Sequence, residues 1–195
     1  MARLPAEHST QNAGFADSLM IGLDEATASL AEGLAGLDDR HVAAFPVPGE
    51  GNIAWIVKHC LGNLGWFGCA CLGGPMPIEP EERWGSTPPQ EGPFPTADEL
   101  RTELAQVREA LLDNMAQVGD EQLRQPPSRP NQSKTTQADC CIRAIWHTGC
   151  HVRQVWLLRG ALGLADLAWP RQHWSWTSVA TRPPLDTRRD WCNWG

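Results

Sequence analysis

The sequence predicts an all-α fold, an antiparallel four-helix bundle, and three observations carry that expectation. Four segments repeat apolar residues at helical spacing, the stretches between them are rich in Pro and Gly, and no strand-like run competes with the four. Four amphipathic or buried helices with irregular connections pack most simply as a bundle around one core.

The first helix is expected over residues 16 to 37, where Leu19, Leu23, Ala26, Leu30, Leu34 and Leu37 fall on one face. The following DDRHVAAFPVPGEGN holds breakers and reads as a connection. Next comes IAWIVKHCLGNLGWFGCACLGG, apolar nearly all round, with Lys58, His59 and Asn63 as its main polar members. Such a helix is buried on most sides. Residues 73 to 95 are Pro-rich and without periodicity, so a long irregular loop is expected there, able to cover one end of the domain. Thr96 and Glu99 fit a capping box, and Leu100, Leu104, Val107, Leu111, Met115 and Val118 continue a third helix over about 97 to 118, stopped at Gly119. After QPPSRPNQSKTT a fourth helix is expected over about 136 to 162. The domain is therefore set at residues 1 to 163. Residues 164 to 195, with Trp169, Trp174, Trp176, Trp191 and Trp194, read as an irregular tail packed on the bundle, with one short helix near 171 to 180.

Composition narrows the function classes. The 23 Asp and Glu outnumber the 16 Lys and Arg, giving a net charge of -7 that argues against nucleic acid as a ligand. Arg182, Arg188 and Arg189 form a local basic group, read as a solvated tail. No apolar run is long enough to span a membrane and none resembles a secretory leader, so a soluble, cytoplasmic protein is expected. Seven Cys without a CxxC pair read as buried reduced thiols rather than a disulfide framework. Ten Trp beside four Phe and no Tyr supply apolar area suited to a core, a pocket or an interface.

Chemistry concentrates in WHTGCHVRQVWLLRGALG. On a helix His147 and His151 lie about 40° apart, one turn above the other, so both imidazoles can reach one ion. The spacing alone is a weak signal, but the stripe through the pair also carries Cys140, Ala144, Gln154, Val155 and Leu158 and is expected to point inward. A buried imidazole needs partners for both ring nitrogens, and a metal supplies one. His59, in the most apolar helix, is the third candidate. Three nitrogens from two core helices would leave coordination positions open, as at catalytic ions. His8, His41 and His173 are expected to be exposed, with His173 kept as an outside candidate near the pocket. By helical spacing Asn63 and Trp66 share the face of His59, while Arg143 and Gln154 sit one turn before and two turns after His147. Arg143, Asn63 and Gln154 are candidate helpers, and Trp66, Asn63 and Arg143 candidate substrate contacts; for each the plain alternative is a core, surface or helix-face role. Cys60 and Cys150 adjoin ligands in sequence but turn about 100° away on a helix.

NIAWIVKHCLGNLGWF and WHTGCHVRQVWLLRGALG, in their order and spacing over residues 16 to 163, resemble the second and last core helices of the DinB/YfiT-like superfamily. The resemblance implies an up-down-down-up bundle, with the loop 73 to 95 running along it, and His59, His147 and His151 as the three metal ligands. It implies a divalent metal, zinc or nickel first and iron or manganese next, and a homodimer. It also implies a small-molecule substrate and thiol S-transfer with mycothiol, bacillithiol or glutathione as cosubstrate. Two other readings stay open: a small-molecule binding or sequestering protein with a Trp-rich pocket, and a metal-dependent isomerase, cyclase or hydrolase that uses no thiol.

Overall fold

The computed structural model describes residues 14–129 and 135–164 and is all-α among them. The chain divides into one unit, Met1–Leu164, and a second, Ala165–Gly195, which lies outside the described residues, as do His8, His173, the tail tryptophans and the short helix expected near 171 to 180. Among the described residues six α-helices are seen: α1 (Phe15–Leu34), α2 (Asp39–Ala43), α3 (Ile53–Asn63), α4 (Ala97–Met115), α5 (Asp120–Leu123) and α6 (Gln137–Ala161). The four longest correspond to the four expected from periodicity. Helices α2 and α5 are short additions in the connections.

Local chemistry sets the ends. Thr96 caps α4, its Oγ1 accepting from Glu99 N–H while Glu99 accepts from Thr96 N–H, the expected capping box. Thr136 and Asp139 repeat the device at α6. Asn52 caps α3 by accepting from Trp55 N–H at 2.9 Å and donates to Ala43 O, tying α3 to α2. The start of α1 is capped from a distance: Asp120 accepts from Ala16 N–H at 2.8 Å. Gly119 therefore does more than stop α4, because it precedes α5, whose first residue holds α1.

The first helix ends at Leu34 rather than 37, since Ala35 is extended and Gly36 takes φ 71°, a left-handed conformation that glycine adopts without strain. Two arginines occupy its C-terminal end. Arg101 of α4 donates to Leu34 O and Leu37 O, and the buried Arg159 of α6 donates to Gly33 O and Ala35 O at 2.9 Å each. Cations there satisfy orphan carbonyls and oppose the helix dipole, an effect of about 0.3–1 kcal/mol each.

The second expected helix is not α-helical throughout. After Asn63 it widens into a π-helical segment, Leu64–Cys69, then tightens into a 3-10 turn, Ala70–Leu72. Gly68 in that segment sits so close to α4 that a Cβ would lie 2.2 Å from Leu111 Cδ2. Helix α1 packs on α4 and α6, and α3 packs on the same two helices. Gly22 and Gly33 allow the α1–α6 approach, meeting Ile145 and Val155. The core between these helices is leucine-rich, with Leu23, Leu30, Leu61, Leu100 and Leu111 out of contact with solvent. The Pro-rich stretch contains one 3-10 turn, Glu82–Trp84, packed against α3. No helix among the described residues is long and apolar enough to cross a membrane.

Candidate metal centre

The packing of α3 on α6 brings His59, His147 and His151 together, with one potential ligand atom from each lying within 4.8 Å of the others. His59 Nε2 and His147 Nε2 face one another at 3.1 Å. The three rings form a tight cluster, with centroids 4.5 to 4.9 Å apart. A chance pair of solvated histidines would not show this convergence from two helices.

Each ring is held by its surroundings. His59 Nδ1 lies 3.1 Å from Trp84 O, a carbonyl that can only accept, so Nδ1 carries the proton and Nε2 keeps its lone pair. His151 Nδ1 donates to Gln154 Oε1, with the same consequence for its Nε2. Trp55, one turn before His59, stacks on that ring with centroids 5.2 Å apart and planes 18° from parallel, and meets His151 edge-on. Its indole N–H donates to Gly85 O at 3.1 Å. The turn at residues 82 to 85 thus receives one hydrogen bond from His59 and another from Trp55.

Electrostatics favour the neutral imidazole. Burial pushes the His59, His147 and His151 pKa values down, and the Arg143 guanidinium adds to the effect at all three. His147 falls furthest, to about 3, through burial first and then the neighbouring histidines and Arg143. The carbonyls of Trp84 and Gly85 partly offset this at His59, and Gln154 does so at His151.

These features fit a divalent metal. Neutral imidazole is the ligating form, and two of the three Nε2 atoms are fixed as lone-pair atoms by the partner at Nδ1. Zinc–nitrogen bonds of about 2.0–2.1 Å place two nitrogens of one ion about 3–3.4 Å apart, which matches the facing pair. Imidazole donors suit zinc, nickel, iron and copper better than magnesium or calcium.

A cleft of about 260 Å³ adjoins the cluster, with His59 in its wall. Helix α3 and its continuation contribute Lys58, Asn63, Trp66 and Phe67, and the loop contributes Met76, Ile78, Glu79, Glu81 and Trp84. Asn63 and Trp66 thus line the same cleft as His59, Trp66 from the π-helical segment. Gln154 bonds to His151 rather than lying free beside His147. Arg143 is absent from the cleft wall; it lies over the Trp146 ring at 5.3 Å and acts on the histidines through its charge. Cys60 is buried and Cys150 exposed, and neither belongs to the histidine cluster. His41 of α2 is half-buried rather than exposed, paired with the N-cap residue Asp38.

Three contributors escaped the sequence reading. Trp84 supplies a carbonyl and a cleft wall from a loop without periodicity, so no pattern marked it. Lys58, buried beside His59, donates to both carboxylate oxygens of Glu103 at 3.0 and 2.8 Å and approaches Glu81 at 3.4 Å, joining α3, α4 and the loop. Trp55 was legible in principle, since it precedes His59 by one turn on the same face.

Residues 23–155 match the family model of the DinB superfamily, and the chain belongs to that superfamily. In fold it is similar to the crystal structure of a conserved protein from Enterococcus faecalis, at 19% sequence identity and a TM-score of 0.56, over 78% of this chain and 99% of that one. No curated protein sequence matches it.

Proposed function

We propose that this protein is a metal-dependent enzyme acting on a small molecule, and that the reaction is thiol S-transfer using a cosubstrate of the mycothiol, bacillithiol or glutathione type. The observation that carries it is the convergence of three neutral imidazoles on one point beside an apolar cleft. In this reading His59, His147 and His151 are the ligands, zinc or nickel is the ion, and the four long helices form the up-down-down-up bundle of the superfamily. A homodimer in the cytoplasm belongs to the same proposal; sedimentation and cell fractionation test those two points.

A divalent cation held there would lower the pKa of a thiol or water and polarise a substrate oxygen. The chain supplies the rest. Gln154 and the Trp84 carbonyl orient two of the rings, Trp55 clamps His59 and His151, and Trp66 walls the ligand. Arg143 adds positive charge near the three rings, which favours a sulfur that becomes anionic beside them. A bond forms between the thiol sulfur and an electrophilic carbon, the leaving group departs with its electron pair, and the thiol proton passes to water. No protein cysteine is required as nucleophile.

Incubating zinc- or nickel-loaded protein with each thiol and an aryl halide, and following the thioether by mass spectrometry, is the test. A metal-dependent adduct is expected; no adduct with any thiol or metal removes the transferase reading. Trp66, Phe67 and Trp84 in the cleft wall favour a second reading, a binding or sequestering protein. It predicts aromatic-ligand binding that survives chelation without turnover. An isomerase, cyclase or hydrolase working without thiol would instead show turnover that depends on metal alone.

A further inference from the structure

The cleft beside His59 has a chemistry of its own. Its wall is mostly apolar, from Trp66, Phe67, Met76, Ile78 and Trp84, and at about 260 Å³ it lies near the lower end of small-molecule pockets. The charged groups on it are Lys58, Glu79 and Glu81. Lys58 is already engaged, since Glu103 takes its ammonium through both carboxylate oxygens and Glu81 stands 3.4 Å away. Two carboxylates, Glu81 and Glu103, therefore flank one ammonium, Glu79 adds a further carboxylate to the cleft wall, and no unpaired cation faces the cleft among its lining residues. Over the lining residues two carboxylates outnumber one ammonium, so a carboxylate or phosphate entering here would meet net negative charge.

The remaining polar group is Asn63. Its Oδ1 is shielded from solvent yet has no hydrogen-bond partner among the described residues, a state that native proteins seldom leave uncorrected. The amide torsion of Asn is broad, so a small rotation presents its oxygen or its NH2 group to the cleft. The unpaired oxygen calls for an N–H or O–H donor, and a carboxamide supplies one together with an acceptor for the neighbouring NH2 group.

We propose that this cleft takes an uncharged, apolar-bodied ligand group bearing a carboxamide, paired with Asn63, and discriminates against anionic ligands of the same shape. The proposal rests on the reading of the site as a small-molecule centre and names which part of a ligand lies on the α3 side of the histidines. Glu79 and Glu81 act as specificity determinants by repulsion, and Asn63 by pairing.

Benzamide and benzoate, equal in shape and different in charge, are the probes. They are titrated by ligand-observed NMR into the full-length chain freed of metal by chelation, so that no ion can hold the carboxylate. Benzamide is expected to bind at least about fivefold more tightly than benzoate, the scale of a few charges acting at partly screened distances. Asn63→Leu should weaken benzamide by about three- to tenfold. Glu79→Gln, an exposed position that leaves the Lys58 cluster intact, should narrow the gap by strengthening benzoate. Equal or tighter binding of benzoate overturns the proposal, as does failure of both probes to bind or a folded Asn63→Leu chain that holds benzamide unchanged. If Asn63→Leu does not fold, the Glu79→Gln comparison decides. The thioether assay on metal-loaded protein fails or succeeds independently of these titrations, so loss of the transferase reading and loss of this one are distinguishable.

Discussion

Helices α3 and α6 and the turns that follow α3 carry two clusters of potential ligand atoms, nitrogen in one and sulfur in the other, and of these two only the first is equipped to hold an ion. The histidines meet beside a cleft, with hydrogen-bonding partners behind two of the rings. The thiols of Cys69, Cys71, Cys140 and Cys141 lie in the closed core, where Cys141 contacts Met115 Sδ at 3.9 Å. Burial acts on both clusters and has opposite consequences. It favours the neutral form of each, which for imidazole is the ligand and for thiol is not. Burial raises Cys69 to about 11 and, with help from neighbouring thiols, Cys140 and Cys141 to about 12. The same desolvation that prepares the histidines for a metal disarms the cysteines.

The sharpest way to break this contrast is to remove the nitrogen donors. His147→Ala/His151→Ala should abolish the binding of about one divalent ion per chain, read by elemental analysis after dialysis. Retention of metal would move the site elsewhere, and the thiols would be the first place to look.

A smaller effect follows from the supporting contacts. Gln154→Ala leaves all three ligands but frees His151 Nδ1. Metal affinity should fall by about 10- to 100-fold, as for other partners of ligating histidines. Competition against a chromophoric chelator measures it, and an unchanged affinity would show that Gln154 plays no part in orienting the ring.

The depressed histidine pKa values also give metal-free stability a pH dependence. In the unfolded chain these groups take up protons below about pH 6.5, whereas in the folded one His147 stays neutral down to about pH 3. The unfolded state therefore binds more protons in that window, and stability is fully present above pH 6.5 and is lost as pH falls toward 3. The slope approaches about 1.4 kcal/mol per pH unit for each fully buried group. Urea titrations from pH 7 to 4 on His147→Gln against the parent chain should show a shallower decline in the variant; parallel curves would remove the assignment.

The cysteine side predicts the least change. Cys141→Ser should leave metal content untouched while lowering stability by about 1–3 kcal/mol, because a buried hydroxyl replaces a thiol that suits its apolar surroundings. Among the six described thiols only Cys150 is exposed and should react quickly with a thiol reagent in the native state. Rapid labelling of Cys140 or Cys141 would show that the core end opens.

Legibility followed the kind of physics involved. The long helices could be read because burial of one face leaves a repeat in the sequence: Leu19 to Leu34 in α1 and Leu100 to Met115 in α4 are spaced by it. The cap at Thr96 was equally visible, being a contact between residues three apart, and the same device at Thr136 went unread. The short α2 and α5 were hidden in connections too brief for a period to register. The π-helical widening after Asn63 was hidden too, since nothing in LGWFGC distinguishes it from an ordinary apolar helix. Trp84 and Glu103 reach the site only through the packing of the loop and α4, and long-range contacts leave no spacing to read.

By itself the sequence determined the all-α class, the approximate helices and the three histidines, because periodicity, capping and the cost of a polar ring in an apolar helix are local properties. Tertiary structure alone decided that His59 meets His147 at 3.1 Å, that a loop carbonyl and Gln154 set two of the ring tautomers, and that Lys58 is spent on Glu103. These depend on how separate segments approach one another in space, a quantity that one-dimensional spacing does not encode.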